Sequence, residues 1–242
     1  MTAVGYTDIG SRYEENQDCY EAGKISGSLF WLALCDGMGG LADGARASRT
    51  VISSIKKFMS ASLAEMGTTE EVKNLLVKAI RNGNDELVVS TMNRGTRSPM
   101  GTTVVSAVVR NSDAVVAHCG DSRAYLIHDS DIKLLTKDHS MVQELVDAGK
   151  ISEEQARNHP NKNIITRALG VEFGVRIDLC EFRVEKDDII LLCSDGLTNM
   201  LNEDEIIKTV NSTDFYLCPE TLVKRSLNAG GTDNITALML RV

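Results

Sequence analysis

Residues 29–40 read LFWLALCDGMGG, an unbroken apolar run of strand length that ends in Asp36-Gly37. Runs of this kind, bounded by Gly, Asp or Asn, are typical of buried β-strands. Similar runs recur at residues 103–109, 114–119, 124–128, 189–193 and 235–240. The connections between residue 103 and about residue 135 are too short for parallel crossovers, so an antiparallel meander is predicted there.

Helical patterns lie between these groups of strands. Apolar residues step by three and four along residues 45–66 and again along residues 70–92, as they do on the buried face of an amphipathic helix. Two shorter helices are predicted at residues 203–210 and 219–227. Because strands and helix pairs are grouped and do not alternate, the sequence predicts the α+β class and not an alternating α/β sheet.

The chain has the organisation expected of one domain. Its 242 residues include three prolines, and no repeated unit or Ser/Gly/Pro-rich stretch divides them, so we predict a single domain over residues 1–242. Residues 140–163 have a weak core signal and are predicted to run over the surface. We expect a short helix at residues 141–148 and a capped turn from Ser152 in this excursion, which is a kind of segment that often has a function.

Composition and charge exclude several classes of protein. Acidic residues number 34 and basic residues 26, for a net charge of −8, which argues against a general binder of nucleic acid or anionic membranes. No apolar run is long enough to span a bilayer, the N-terminus does not read as a signal peptide, and the six cysteines form no CxxC pair. We therefore expect a cytoplasmic protein with reduced thiols. No stripe of exposed apolar residues is evident, so we expect a monomer.

Four aspartates occupy the ends of strand-like runs. Asp36 and Asp195 end such runs, Asp121 follows one closely, and Asp233 directly precedes the last. A single aspartate in this position usually begins a turn, but antiparallel strands can bring several carboxylates to the same sheet edge. Clustered carboxylates raise one another's pKa values unless cations neutralise them.

These oxygen ligands point to a divalent metal site. Carboxylate and carbonyl oxygens are the ligands that Mg²⁺ and Mn²⁺ prefer. Glycines at positions 37, 39 and 40 allow the backbone to approach closely, so that a main-chain carbonyl could be a further ligand. The chain contains no Cys-x5-Arg sequence, the pattern that a cysteine nucleophile attacking a bound phosphate would need.

Six short motifs follow one another along the chain. They are Arg12…Asn16-Gln17-Asp18, Asp36-Gly37-Met38-Gly39-Gly40, Gly101-Thr102-Thr103, Gly120-Asp121-Ser122-Arg123, Ser194-Asp195-Gly196 and Gly231-Thr232-Asp233-Asn234. In this order they resemble the metal-dependent protein phosphatase family, protein phosphatase 2C, over about residues 2–242. Each motif alone is common, and the specificity comes from all six at these spacings.

The resemblance implies a fold and a set of site residues. The fold would be a four-layer αββα sandwich, in which helix pairs flank two antiparallel sheets and the metal site lies at one end. Residues 140–163 would form the flap of the family. The implied site residues are Asp36, which would bridge two metals, Gly37 through its carbonyl, Asp195, Asp233, Asp18 through a water, Asp121 with Asp195 for a weaker third metal, and Arg12 for the substrate phosphate.

The resemblance also implies the reaction. A protein serine/threonine phosphatase of this family would use two Mn²⁺ or Mg²⁺ ions, and a hydroxide bridging them would attack phosphorus directly, without a phosphoenzyme. The partners would be phosphorylated Ser/Thr proteins and a cognate bacterial Ser/Thr protein kinase. Two other hypotheses stay open: a non-catalytic module that binds phosphoproteins, and a metal-dependent phosphatase for small phosphate esters.

Two positions depart from the family pattern. Met38 stands where some members have a histidine proposed to protonate the leaving oxygen, so a metal-bound water or the substrate would have to supply that proton. Gln17-Asp18 stands where eukaryotic members have an acidic pair. Metal affinity is therefore expected to differ from that of eukaryotic members.

Other residues near the motifs have simpler explanations. We predict that Arg123 forms a local ion pair and that His118 is a core residue with a hydrogen-bonded ring. For His139 a loop role is favoured, and an active-site role stays open. The cysteines that precede the site aspartates are predicted to be buried packing residues with inert thiols, and sensitivity to oxidation or to thiophilic metals stays open as the alternative.

Overall fold

Two antiparallel sheets form the centre of the part of the chain that the computed structural model describes, residues 1–39, 43–94 and 100–242. The strands are β1 (Thr2–Asp8), β2 (Asp18–Ser26), β3 (Leu29–Met38), β4 (Gly101–Thr102), β5 (Val104–Arg110), β6 (Asp113–Cys119), β7 (Arg123–His128), β8 (Asp131–Leu134), β9 (Asp178–Arg183), β10 (Ile189–Cys193) and β11 (Ile235–Arg241). One sheet has the order β1-β11-β10-β7-β8, and the other has β2-β3-β5-β6-β9, with β4 paired to β3. Gly40 of the second motif lies outside the described residues.

Helices flank this sandwich. They are α1 (Asp43–Ser62), α2 (Thr69–Arg94), α3 (Met141–Asp147), α4 (Glu153–Arg157), α5 (Asp195–Thr198), α6 (Glu203–Ser212) and α7 (Cys218–Asn228), with a 3₁₀ turn at Leu63–Glu65. Each helix predicted from apolar spacing is present with nearby bounds. Among the described residues, no helix combines the length and the apolar character that a membrane crossing requires.

The helices pack on opposite outer faces of the two sheets. On one side, Val51 of α1 and Leu76 of α2 share a core with Trp31 of β3. On the other side, Leu222 of α7 shares a core with Leu191 of β10. A third apolar core fills the space between the sheets. The layers are helix, sheet, sheet and helix, so the predicted fold is confirmed.

Strand β3 is buried on both faces, which explains its unbroken apolar run. Leu32 and Leu34 point into the core between the sheets, whereas Trp31 and Cys35 point towards α1 and α2. Successive side chains of a strand point to opposite faces. Asp36 therefore continues the series of Leu32 and Leu34, and its side chain lies on the inter-sheet face at the end of the strand.

Three edge strands, β1, β2 and β9, were missed by the sequence prediction. β1 forms one edge of the five-stranded sheet, and β2 and β9 form the two edges of the other. Most of their residues keep some exposed surface. Because no unbroken apolar run marks such strands, the local pattern does not reveal them.

The predicted surface excursion contains α3 and α4. The Ser140 hydroxyl accepts the Gln143 N–H and caps α3, while Ser152 and Gln155 form a capping box at the start of α4. Ser140 also pairs with Ile165 in an isolated antiparallel bridge. The segment therefore leaves the sandwich and returns to it at the same point.

Candidate active site

The predicted site aspartates meet at one end of the sandwich. Asp18 at the start of β2 lies directly opposite Asp36 of β3, whereas Asp195 follows β10 and Asp233 precedes β11 in the other sheet. Each of the Asp18, Asp36 and Asp195 carboxyl groups experiences the charge of Asp233. The acids therefore do not share the edge of a single sheet, and they lie instead at one end of the sandwich. They come from both sheets, because strand ends of two stacked sheets meet at the same end of a sandwich.

Asp18 is held by side chains from the opposite sheet. Its Oδ2 accepts hydrogen bonds from the Ser194 hydroxyl at 2.8 Å and from the Thr236 hydroxyl at 2.6 Å. Its Oδ1 is buried and has no hydrogen-bond partner among the described residues. Buried polar oxygens are almost always paired, so this oxygen is suited to a cation or to a water that a cation holds.

The carboxyl groups of the cluster are withdrawn from water and repel one another. Burial, with added repulsion from Asp195 and Asp233, raises the pKa of Asp18 to about 7. Burial, then the charges of Asp18 and Asp195, raises the pKa of Asp36 well above its usual value. Burial and the charge of Asp233 raise the pKa of Asp195 to about 6, and burial and the charge of Asp195 raise that of Asp121 to about 8. Each residue keeps the carboxylate form only at a cost in free energy unless positive charge is supplied.

The donor set fits divalent cations that prefer oxygen. The cluster offers carboxylates, among them the buried Asp18 oxygen for which residues 1–39, 43–94 and 100–242 supply no partner. Hard cations such as Mg²⁺ and Mn²⁺ favour this set over imidazole or thiolate. Two divalent cations would cancel the four charges of Asp18, Asp36, Asp195 and Asp233.

A second group of potential ligands, His118, His139 and Asp178, is not suited to a metal. One potential ligand atom from each residue lies within 4.8 Å of the others, but Arg167 Nη1 lies 2.9 Å from Asp178 Oδ1 and 2.9 Å from His139 Nε2. The guanidinium already supplies the positive charge there. His118 is buried, as predicted, but its Nδ1 has no hydrogen-bond partner among the described residues, and the ring stacks on His139 with centroids 4.7 Å apart.

His139 supports the turn that carries Asp121. The Gly120 N–H donates to His139 Nδ1 at 3.0 Å, and the His139 N–H donates to the Gly120 carbonyl at 3.0 Å. These bonds hold the residue directly before Asp121. Of the two roles left open for His139, the geometry favours the loop role.

Arg123 and the neighbouring cysteines behave as the sequence predicts. Arg123 Nη2 lies 2.7 Å from Asp138 Oδ2, so the local ion pair is confirmed. Cys35, Cys119 and Cys193 are buried, and burial raises the pKa of the Cys119 and Cys193 thiols to about 12. Thiols of this kind are inert packing groups.

Arg12 lies in the loop between β1 and β2, next to Asp233. Its N–H donates to the Thr232 carbonyl at 3.1 Å, while its exposed guanidinium lies 5.6 Å from the Tyr13 ring centroid. It has no carboxylate partner within the described residues. The structure thus brings the Arg12 backbone to the cluster and leaves its charge available for a ligand.

Gly37 stands where β2, β3 and the start of α1 crowd together. A Cβ at this position would lie 2.1 Å from the Gly44 carbonyl oxygen and 2.7 Å from the Gln17 carbonyl oxygen. The adjacent Asp36 carbonyl accepts the Thr103 N–H at 2.8 Å and the Thr102 hydroxyl at 2.8 Å. Backbone atoms on several sides therefore fix the peptide that links Asp36 to Gly37.

We expect Gly37→Ala to destabilise the protein and to remove activity. Its methyl group would overlap main-chain atoms that cannot rotate away, at a cost of about 1–3 kcal/mol or more. Thermal unfolding and phosphatase rate are the measurements. Gly27→Ala is the matched control, because no atom of the described residues, apart from its immediate chain neighbours, lies within 4 Å of its Cβ position. Equal melting temperatures for the two variants would contradict the crowding argument.

Several residues that support the site were given no role in the sequence analysis, although all but Thr236 belong to its motifs. Ser194 and Thr236 hold Asp18 by hydrogen bonds from their hydroxyl groups. The Thr103 hydroxyl oxygen accepts the Asp36 N–H at 3.1 Å, and the Asn234 amide oxygen accepts the Gln17 N–H at 2.7 Å. All are polar residues at strand ends. A polar residue where an apolar run breaks off was the signal that could have found them.

A cleft of about 410 Å³ opens beside Asp121 and Asp195. Its other walls come from α3 and α4 of the surface excursion and from residues 198–203. The cleft connects the carboxylate cluster to the segment that the sequence predicts to be a flap. An oxygen-rich cluster at the end of an αββα sandwich, open to such a cleft, is typical of one class of protein, the metal-dependent hydrolases.

The chain is similar to known phosphatases over nearly its whole length. The family model for Protein phosphatase 2C matches residues 11–145. The serine/threonine phosphatase stp of Listeria monocytogenes is 39% identical over 243 residues, which cover 99% of this chain and 95% of that protein. The chain therefore belongs to the protein phosphatase 2C family, and it is a metal-dependent serine/threonine protein phosphatase.

Solved structures of phosphatases have the same fold. The serine/threonine phosphatase PstP/Ppp of Mycobacterium tuberculosis superposes with a TM-score of 0.91 at 31% identity, covering 100% of this chain and 98% of that chain. The catalytic domain of PstP in complex with two manganese ions superposes with a TM-score of 0.84 at 31% identity, covering 98% of this chain and 96% of that chain. The family and the fold both agree with dependence on divalent metal.

Proposed function

We propose that the chain hydrolyses phosphoserine and phosphothreonine in proteins by direct attack of an activated water on phosphorus, without a phosphoenzyme. The supporting observation is the buried Oδ1 of Asp18, which has no partner in the described part of the chain and lies among acids whose pKa values burial and mutual repulsion raise. Two Mn²⁺ or Mg²⁺ ions and a weaker third would be held by Asp36, the Gly37 carbonyl, Asp195, Asp233, Asp121 and, through a water, Asp18.

Around these ions, residues of the chain would orient the ligand carboxylates and bind the substrate phosphate. When bound, divalent cations neutralise the carboxylates and lower the pKa of a coordinated water. Ser194 and Thr236 orient Asp18 by their hydroxyl hydrogen bonds. Arg12 would bind two phosphate oxygens with its planar guanidinium. Met38 has no proton to donate, so the leaving oxygen would take its proton from solvent or from the substrate.

We expect Arg12→Ala to raise KM for p-nitrophenyl phosphate and for a phosphothreonine peptide by about tenfold or more, because a charged hydrogen bond to phosphate is lost. The kcat should fall less, since the phosphate contact already exists in the ground state. Arg183→Ala is the control, because Arg183 is an exposed arginine paired with Asp113. An unchanged KM in Arg12→Ala would contradict the phosphate role.

A label-transfer experiment tests the mechanism and the substrate class. After rapid acid quenching of turnover on a ³²P-phosphopeptide, we expect all label in free phosphate and none on the protein. Labelled protein would contradict direct attack. Faster hydrolysis of small phosphate esters than of phosphopeptides would favour the metabolite phosphatase hypothesis, whereas strong sequence preference among phosphopeptides supports the protein phosphatase.

The remaining expectations belong to the same proposal. We propose that residues 1–242 act as one catalytic domain, with residues 140–163 as its flap. The position of α3 and α4 along the wall of the active-site cleft supports this role. That the protein is a cytoplasmic monomer, and that it opposes a cognate Ser/Thr protein kinase, stay predictions from the sequence.

A further inference from the structure

The Asn234 side chain joins the two segments on which the proposed phosphate and metal ligands lie. Asn234 directly follows Asp233 and is buried, with 4% of its surface exposed. Its Oδ1 accepts the Gln17 N–H at 2.7 Å, and its Nδ2 donates to the carbonyls of Ile9 at 2.8 Å and Glu15 at 3.4 Å. One amide therefore holds both ends of residues 9–17, a loop that has Arg12 near its middle.

Backbone contacts press the same loop against the segment before β11. Gly10 has a φ of +75°, and a Cβ there would lie 2.0 Å from the Asp233 carbonyl oxygen. The Arg12 N–H donates to the Thr232 carbonyl, and the Ser11 hydroxyl donates to the Gly231 carbonyl at 3.2 Å. The loop thus has little freedom to move while the Asn234 amide holds its ends.

Only an asparagine amide satisfies the three groups around it. Its oxygen faces a backbone donor, and its nitrogen faces two backbone acceptors. An aspartate would set a carboxylate oxygen against the Ile9 and Glu15 carbonyls, and an alanine would leave all three backbone groups without this partner.

We propose that Asn234 is a positioning residue for phosphate binding: by fixing both ends of the loop at residues 9–17, it holds Arg12 where its guanidinium meets the substrate phosphate. The inference rests on the proposed role of Arg12. Holding a binding group in place before the ligand arrives removes an ordering cost from binding, so loss of the amide weakens phosphate binding through Arg12.

The first experiment measures substrate and phosphate binding in Asn234→Ala. In the manganese-loaded protein, we expect KM for p-nitrophenyl phosphate and the calorimetric Kd of inorganic phosphate to rise together by about three- to tenfold, with a smaller change in kcat. The Kd of Mn²⁺ should stay unchanged. A weaker Mn²⁺ affinity, or a fall in kcat alone, would mean that Asn234 acts on Asp233 and would overturn the proposal.

Asn84→Ala is the matched control for the loss of a buried amide. Asn84 is fully buried, accepts the Gly170 N–H at 2.9 Å and donates to the Glu172 carbonyl at 2.9 Å, and neither partner is in the carboxylate cluster or in the Arg12 loop. Its removal should lower the melting temperature and leave KM and the phosphate Kd unchanged. If Asn84→Ala raised KM and the phosphate Kd as much as Asn234→Ala, the effect would be general destabilisation and the proposal would be wrong.

A double-mutant cycle with Arg12→Ala gives the decisive comparison. If Asn234 acts through Arg12, the double variant has the same phosphate Kd as Arg12→Ala alone. If the fold-change in phosphate Kd of the double variant equalled the product of the two single fold-changes, the two residues would act independently and the inference would be overturned. If Arg12→Ala weakens phosphate binding and Asn234→Ala does not, the inference about Asn234 fails and the proposed role of Arg12 stands. If Arg12→Ala leaves the phosphate Kd unchanged, both the role of Arg12 and the inference about Asn234 fail.

Milder variants keep the test available if Asn234→Ala does not fold. Asn234→Asp keeps the acceptor for the Gln17 N–H, and Ser11→Ala removes the hydroxyl bond to Gly231. Each substitution is expected to raise the phosphate Kd when Arg12 is present. Neither should change the phosphate Kd of the Arg12→Ala variant. No change with either variant would overturn the proposal.

Discussion

Replacement of Asp36 by asparagine is expected to lower the turnover number by about a thousandfold or more and, in the metal-free protein, to raise the melting temperature. Burial and the charges of Asp18 and Asp195 raise the Asp36 pKa well above its usual value, so an ionised Asp36 is destabilising without a cation. Asparagine has a similar shape and carries no charge. The gain should be about 1–3 kcal/mol, or about 2–4 °C for each kcal/mol in a chain of this size.

Asp188→Asn is the matched control for this prediction. Asp188 is also buried, but it is satisfied: its Oδ1 lies 2.6 Å from His128 Nδ1, and its Oδ2 accepts the Glu185 N–H at 2.7 Å. We expect Asp188→Asn to lower the melting temperature and to leave turnover nearly unchanged. Calorimetry with chelator present measures both melting temperatures. If Asp36→Asn raises the melting temperature and Asp188→Asn lowers it, the result supports a site whose carboxylates destabilise the metal-free protein. Near-normal turnover in Asp36→Asn would refute the site assignment.

Removal of metal is expected to abolish turnover and to make stability fall as the pH rises. In the metal-free protein the pKa values of Asp195, Asp18 and Asp121 are raised to about 6, 7 and 8, whereas in the unfolded chain they are about 3.9. Between about pH 4 and pH 8 the folded state therefore binds more protons than the unfolded state. By linkage, the free energy of unfolding decreases with pH in this window, by about 1.4 kcal/mol per pH unit for each extra proton bound.

Bound divalent cations should remove this dependence, because they replace the protons. The increase in melting temperature caused by saturating Mg²⁺ or Mn²⁺ is thus expected to be small at pH 5 and large at pH 8. Groups outside the site, such as the exposed His128, contribute equally to the pH dependence of stability with and without metal. Their contribution therefore cancels when the melting temperature of the metal-free protein is subtracted from that of the metal-bound protein. A metal-induced stabilisation that is the same at both pH values would contradict the clustering of raised carboxyl groups, and full turnover after exhaustive chelation would contradict metal dependence.

The parts of the fold that could be predicted are those in which each residue has one clear environment. β3, β5, β10 and β11 are apolar along most of their length because both faces of a central strand are buried. The spacing along α1 and α2 predicts helices because one face of each meets the core. β1, β2 and β9 were not predictable in this way, since an edge strand that keeps exposed surface has no distinctive pattern.

The sequence alone determined which acids stand at strand ends, because the pattern of apolar residues marks the strands. It also determined the family and the layer architecture that the family implies, because the six motifs occur in order along the chain. Only the tertiary structure decided that Asp18 and Asp36 face each other across β2 and β3, and that Ser194 and Thr236 reach Asp18 from the opposite sheet. It also decided that one buried amide, Asn234, ties the Arg12 loop to the segment before β11. Local patterns report how buried each residue is, whereas these contacts join residues up to 225 positions apart, and only the packing of one sheet on the other brings them within hydrogen-bonding distance.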